Sequence, residues 1–121
     1  MDNTIEITEH AAEESTFPIV VTFWETIDGV ETLVTPNNDI TWTLTDKAGT
    51  VVNDRSAETG LTPATSVIIV LSGADLELSG SYVGRVRYLL VECTYDSATY
   101  GANLPFKSQA RFTIDNLLKV T

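Results

Sequence analysis

The sequence predicts an all-β protein, an antiparallel sandwich of about seven strands held together without a disulfide. Three observations carry this expectation. Apolar and polar residues alternate with a period of two in several separate stretches, most cleanly at 39–45, and that period places side chains on one face of a strand. Turn signals rich in Gly, Pro, Asn and Asp recur about every 8–12 residues, the spacing of short strands in sandwiches. No stretch of ten residues carries the period of an amphipathic helix. With 121 residues, 43% of them apolar, the chain is long enough for one domain with a real core. Cys93 is the only cysteine, so no internal disulfide can form, which fits a cytosolic history. In the run Leu89-Leu90-Val91-Glu92-Cys93-Thr94-Tyr95 it reads as a small buried apolar side chain.

Residues 1–16 are expected to form an acidic N-terminal arm ahead of a sandwich domain at 17–121. Ile5 and Ile7 alternate briefly with Glu6 and Thr8, but Glu9-His10-Ala11-Ala12-Glu13-Glu14-Ser15 lacks the apolar stripe of a stable helix. A tether or a single helical turn fits it better than core. Residues 17–25 read as a strand with Phe17, Ile19, Val21 and Phe23 on one face and Pro18, Val20, Thr22 and Trp24 on the other. Pro18 cannot donate to a ladder and belongs at a strand start or on an edge. Asp28-Gly29 is a turn, and 30–34 forms a short return strand closed by Pro36-Asn37-Asn38. In 39–45, Ile40, Trp42 and Leu44 face in while Thr41, Thr43 and Thr45 face out. Asp46-Lys47-Ala48-Gly49 is a turn with a left-handed Gly49, and 50–53 returns as hairpin partner.

Residues 54–65, with Gly60 and Pro63, read as the longest featureless loop. Val67-Ile68-Ile69-Val70-Leu71 is apolar on both faces, as in a well-covered central strand. Leu76 and Leu78 lead on to a long strand over 82–95 that changes phase. Tyr82, Val86, Tyr88 and Leu90 share one parity opposite Arg85 and Arg87; the apolar set then moves to Leu89, Val91, Cys93 and Tyr95. A β-bulge near Leu89 or Leu90, or a strand that crosses between environments, would reconcile the halves. After a connection at 96–103, the last strand, 104–114, turns Ala110, Phe112 and Ile114 inward.

The first 46 residues hold ten carboxylates and no lysine or arginine, and the whole chain carries 7 basic against 17 acidic residues, a net charge of −10. Such a surface repels a phosphate backbone and an anionic membrane, so neither nucleic acid nor a membrane is expected as partner. It suits a basic protein surface, or simply keeps the chain in solution. No apolar stretch approaches the ~20 residues that span a bilayer. Met1-Asp2-Asn3-Thr4 lacks the regions of a signal peptide, which predicts a soluble chain made in the cytoplasm.

Trp42 on the third main strand and Tyr82 in Leu78-Ser79-Gly80-Ser81-Tyr82 resemble the buried tryptophan and the tyrosine corner of immunoglobulin-like sandwiches. In disulfide-bearing versions a cysteine follows that tyrosine by two residues; here Gly84 stands there, so the likeness is to disulfide-free modules. The small acidic format is also similar to the immunoglobulin-like accessory proteins of tailed bacteriophages. The segments that carry this second likeness are Phe17-Pro18-Ile19-Val20-Val21-Thr22-Phe23, Ile40-Thr41-Trp42-Thr43-Leu44-Thr45-Asp46, and Thr94-Tyr95-Asp96 with Leu104-Pro105-Phe106-Lys107. The resemblance implies a virion structural protein, a capsid decoration protein or a tail, neck or baseplate component, that docks on capsid or tail proteins and is compatible with a homo-oligomer.

The residues offer little for catalysis. His10 is the only histidine and falls in the arm, where a triad could not hold it in fixed geometry. One histidine and one cysteine cannot build a zinc site. Asp28 with Glu31, and Asp39 with Asp46, match no calcium loop and read as surface charge. A small hydrolase would need two buried carboxylates facing one pocket. No catalytic residue, cofactor or metal is therefore expected. Trp24 and Tyr100 are the candidate interface residues, because exposed aromatics favour interfaces. If both lay on one concave face, they would favour a carbohydrate or host-surface binding module instead.

Overall fold

The period-two stretches become strands because each buries one apolar row and leaves the other to solvent. The computed structural model describes residues 4–78 and 86–115. Its strands are β1 (Thr4–Glu6), β2 (Ala11–Ala12), β3 (Thr16–Thr22), β4 (Trp24–Ile27), β5 (Val30–Leu33), β6 (Ile40–Asp46), β7 (Glu58–Leu61), β8 (Ser66–Ser72), β9 (Val86–Ser97) and β10 (Gly101–Asp115). A 3-10 turn, Gly73–Leu76, follows β8. The large sheet runs β1-β10-β9-β6-β7, with β2 added beside β10; β3–β8 and β4–β5 form two further pairs.

The β3–β8 pair lies face to face with the large sheet, which makes the fold a β-sandwich without a disulfide. Phe17, Ile19 and Val21 of β3 and Val67, Ile69 and Leu71 of β8 share a core with Ile40, Leu44, Leu89, Val91, Phe112 and Ile114. Phe17 and Phe112 pack with ring centroids 5.0 Å apart, and Phe23 meets Phe106 edge-on at 5.3 Å. Each such side chain contributes about 1.5–3 kcal/mol on leaving water. Cys93 is free and buried, and burial pushes its thiol up to about 11. Trp42 is buried on the inner face of β6, with the Arg55 guanidinium 5.4 Å from its ring centroid. Tyr82, with the expected tyrosine corner, lies outside the described residues.

Two turns match their sequences. Asp28 (φ 51°) and Gly29 (φ 80°) form the two-residue turn of the β4–β5 hairpin. Asp46 Oδ1 accepts from Ala48 N at 2.9 Å and Thr50 N at 3.0 Å, and Gly49 takes the left-handed position at φ 89°. The return segment makes only an isolated bridge, Thr45 to Val51, rather than a strand.

Four expectations are corrected. The N-terminal segment is neither a tether nor a helical turn: β1 and β2 pair parallel with β10, and Ala11 is buried in the core. Paired backbone at the edge of the large sheet holds it there, together with Arg111 Nε donating to Glu6 Oε2 at 2.9 Å. Residues 54–65 are not featureless, since β7 pairs with β6 through a register shift between Ile40 and Trp42. That irregularity and Gly60, at φ 100°, erase the alternation a strand normally shows. Val67–Leu71 is not a covered central strand. Among the described residues β8 pairs only with β3, and Ile68 and Val70 are exposed.

The fourth correction concerns the phase change. β9 runs regularly against β10 from Val86 to Tyr95, with one inward parity of Arg87, Leu89, Val91, Cys93 and Tyr95. Its opposite row is half-buried because β9 is flanked on both sides, Tyr88 lying between Arg111 and Thr45. Arg87 points inward rather than outward, and its Nη2 donates to the Glu77 carbonyl at 2.8 Å.

Candidate functional site

One end of the sandwich gathers exposed apolar side chains on a tightly bonded base. The inward row of β3 continues unbroken through Phe23 to Glu25, so Trp24 turns outward. Trp24 sits directly across the hairpin from Leu33. Trp24 is 39% exposed and Leu33 60%, whereas Val30, 63% exposed at the hairpin tip, lies on the other face of the ribbon with Ile27. Among neighbours on a two-stranded ribbon, facing side chains of this kind lie close enough to form one apolar surface.

Glu25, on the opposite side of β4, anchors the hairpin. It is buried, and its Oε1 accepts from Ser97 Oγ at 2.8 Å. Ser97 Oγ in turn accepts from Thr99 N (3.1 Å) and Tyr100 N (3.0 Å), which fixes the β9–β10 turn. Glu25 Oε2 is buried with no hydrogen-bond partner among the described residues. Beside it, burial raises the Tyr95 phenol, and the charge of Glu25 adds to the effect. Tyr100 is exposed, and its hydroxyl makes a long 3.4 Å hydrogen bond to the Thr26 carbonyl.

A second clamp lies in the segment after β5. Asn37 Nδ2 donates to Asp96 Oδ1 at 2.8 Å and to Asn103 Oδ1 at 3.0 Å, while its Oδ1 accepts from Thr94 Oγ1 at 2.6 Å. Asn103 N donates to Asp96 Oδ1 at 2.9 Å. The hairpin, the 36–38 segment and the β9–β10 turn are thus tied into one platform.

Of the two expected interface residues, both come to this end. Tyr100 packs by the strand that carries Trp24, without a ring contact between the two. Sequence reasoning missed Glu25, Ser97, Asn37 and Leu33. A carboxylate on the inward row after Phe17, Ile19, Val21 and Phe23 was the signal that a polar partner waited inside.

A second polar cluster is structural. Asp75, fully buried, accepts from Arg55 Nε (2.8 Å), Asn53 Nδ2 (2.9 Å) and Ser72 N (3.1 Å). Burial alone would raise its carboxyl, but these donors outweigh burial and hold it below the usual range. Arg55 also meets Glu58 at 2.9 Å, and both carboxylates raise it further above its ordinary value. The cluster pins the loop before β7 to the 3-10 turn.

The carboxylate pairs singled out by sequence stay apart from these buried groups. Asp28 is a turn residue and Asp46 caps its own turn. His10 Nδ1 lies 2.8 Å from Asp115 Oδ1 at the surface. It borders an open groove of about 470 Å³ with Glu6, Lys47, Tyr88 and Arg111. Glu6 pairs with Arg111 there, which weakens the groove's pull on an anion. Among the described residues no group of three or more His, Cys, Asp or Glu is arranged to hold a metal, and no helix is long and apolar enough to cross a membrane. No protein-family model matches the chain, and searches of curated proteins and of solved structures find no match.

Proposed function

We propose that this chain is a non-enzymatic structural protein of a tailed-bacteriophage virion, most simply a capsid decoration or accessory protein made in the host cytoplasm, that docks on a larger protein assembly by its β4–β5 end. The observation that carries the reading is the outward Trp24–Leu33 pair on a platform clamped by Glu25, Ser97 and Asn37. An apolar anchor on a pre-ordered base loses little entropy on binding, which is what hot spots require. The chain's net charge of −10 favours a partner with a basic rim. Repeated docking sites on a symmetric shell would add avidity to a modest contact. The phage assignment itself rests on the resemblance of the segments around Phe17, Trp42 and Tyr95.

Within the same class, a tail, neck or baseplate position differs only in copy number. Mass spectrometry of purified particles from the source culture tests both: hundreds of copies per particle support decoration, a dozen or fewer support the tail or neck, and absence from particles overturns the virion reading. A carbohydrate or host-surface binding module is a second reading, favoured by Trp24 and Tyr100 lying at one end. Glycan binding lost on Trp24→Ser, with no particle association, would select it.

A further inference from the structure

The β3–β8 pair has two outer edges, and they differ. Phe23 N donates to the Thr65 carbonyl and Gly73 N to the Ser15 carbonyl, each at 3.0 Å, at opposite ends of the ladder. With the register from Thr16–Ser72 to Thr22–Ser66, these bonds fix the alternation. Odd-numbered residues bond across the pair, and even-numbered residues turn their N–H and C=O groups to the edges. The β3 edge therefore presents Thr16, Pro18, Val20 and Thr22. Pro18 has no N–H and blunts it in the middle.

The β8 edge presents Ser66, Ile68, Val70 and Ser72. Asp75 Oδ2 already takes the Ser72 N–H at 3.1 Å. The backbone groups of Ser66, Ile68 and Val70 on that edge have no partner among the described residues. This edge has no proline, no charge and no bulge, the usual protections. Ile68 is 58% exposed and Val70 54%. The whole run 59–74 is uncharged in a chain of net charge −10.

We propose that the β8 edge pairs antiparallel with the β8 edge of a second copy of this chain, across a two-fold axis at Ile68. The occupant must offer an unblunted, uncharged strand edge, and β8 itself meets both conditions. An acidic chain meets its own copy without repulsion only along such a run. Centring the axis on Ile68 faces Ser66 with the counterpart of Val70 and leaves the occupied Ser72 N–H outside the ladder. About six new backbone hydrogen bonds result. The exposed Val20, Ile68 and Val70 then join their counterparts in one four-stranded apolar face. Pro18 on each far edge stops further addition, so the assembly closes as a dimer rather than growing into a fibre.

The test is light scattering on the full chain as it elutes from a sizing column, with two variants. The wild type is expected at twice the 13.2 kDa of one chain, and Ile68→Lys, which sets like charges across the axis, at the single-chain mass with an unchanged circular dichroism spectrum. Under mild oxidation Ile68→Cys is expected to give a covalent dimer, while Val20→Cys, equally exposed but off that edge, does not. This second arm decides if the lysine variant fails to fold. A single-chain mass for the wild type, a dimer that survives in folded Ile68→Lys, or equal cross-linking of the two cysteine variants would overturn the proposal.

Discussion

Ser97 Oγ donates a 2.8 Å hydrogen bond to Glu25 Oε1 and so joins two residues 72 positions apart in sequence. With the longer Tyr100 hydroxyl bond to the Thr26 carbonyl, it ties the β9–β10 turn to the β4–β5 hairpin, and the other oxygen of the same carboxylate has no partner among the described residues. Ser97→Ala leaves a buried carboxylate without either bond, at a cost of about 2 kcal/mol. We expect a lower urea midpoint and faster hydrogen exchange confined to residues 24–33. Exchange that rises evenly over the chain would show that Ser97 does not hold the hairpin in particular.

Asp75 and Arg55 set the acid limit. The folded carboxyl sits below its unfolded value of 3.8, held there by Arg55, Asn53 and Ser72 N–H against the cost of burial. A depressed carboxyl contributes stability that is fully present above the unfolded value and is lost as pH falls through the folded one. Stability is therefore expected to be flat with respect to Asp75 near neutrality and to drop only in strong acid. Asp75→Asn should flatten that acid drop, and Asp75→Ala should cost about 3 kcal/mol at neutral pH by leaving Arg55 without its buried partner. Chemical denaturation of each variant as a function of pH measures both effects.

Cys93 should be inert in the folded protein. Burial raises its thiol from 9.0 to about 11, so the reactive thiolate is scarce. Near neutral pH, labelling by a thiol reagent should be about 100-fold slower than in the unfolded chain, rising with pH toward the raised value. A native labelling rate equal to the unfolded one would contradict the buried placement.

The alternation of Phe17, Ile19, Val21 and Phe23 and of Ile40, Trp42 and Leu44 made the sandwich legible, because each of those strands has one wet and one dry face. The reading failed where that contrast is weak. β9 is flanked by strands on both sides and places an arginine inward, so its pattern imitated a phase change. β8 is apolar on both rows, and sequence alone cannot tell a covered strand from one whose outer row awaits a partner. β1 and β2 are held by pairing with the far end of the chain, a long-range fact with no local signal. At the candidate site, Trp24 and Tyr100 were visible as aromatics off the core pattern. Their platform was not, because Glu25–Ser97 and Asn37–Asp96 are contacts between residues far apart in sequence.

The central claim is that the Trp24–Leu33 surface docks the protein on a particle. The most direct measurement is co-sedimentation of purified protein with particles from the source culture, comparing wild type with Trp24→Ser and Leu33→Ser. Both residues are exposed, so the variants should unfold at the same urea concentration as wild type. The account predicts that each loses about 30-fold in particle affinity, the size expected for a hot-spot side chain. Wild-type binding that both folded variants retain in full would contradict it.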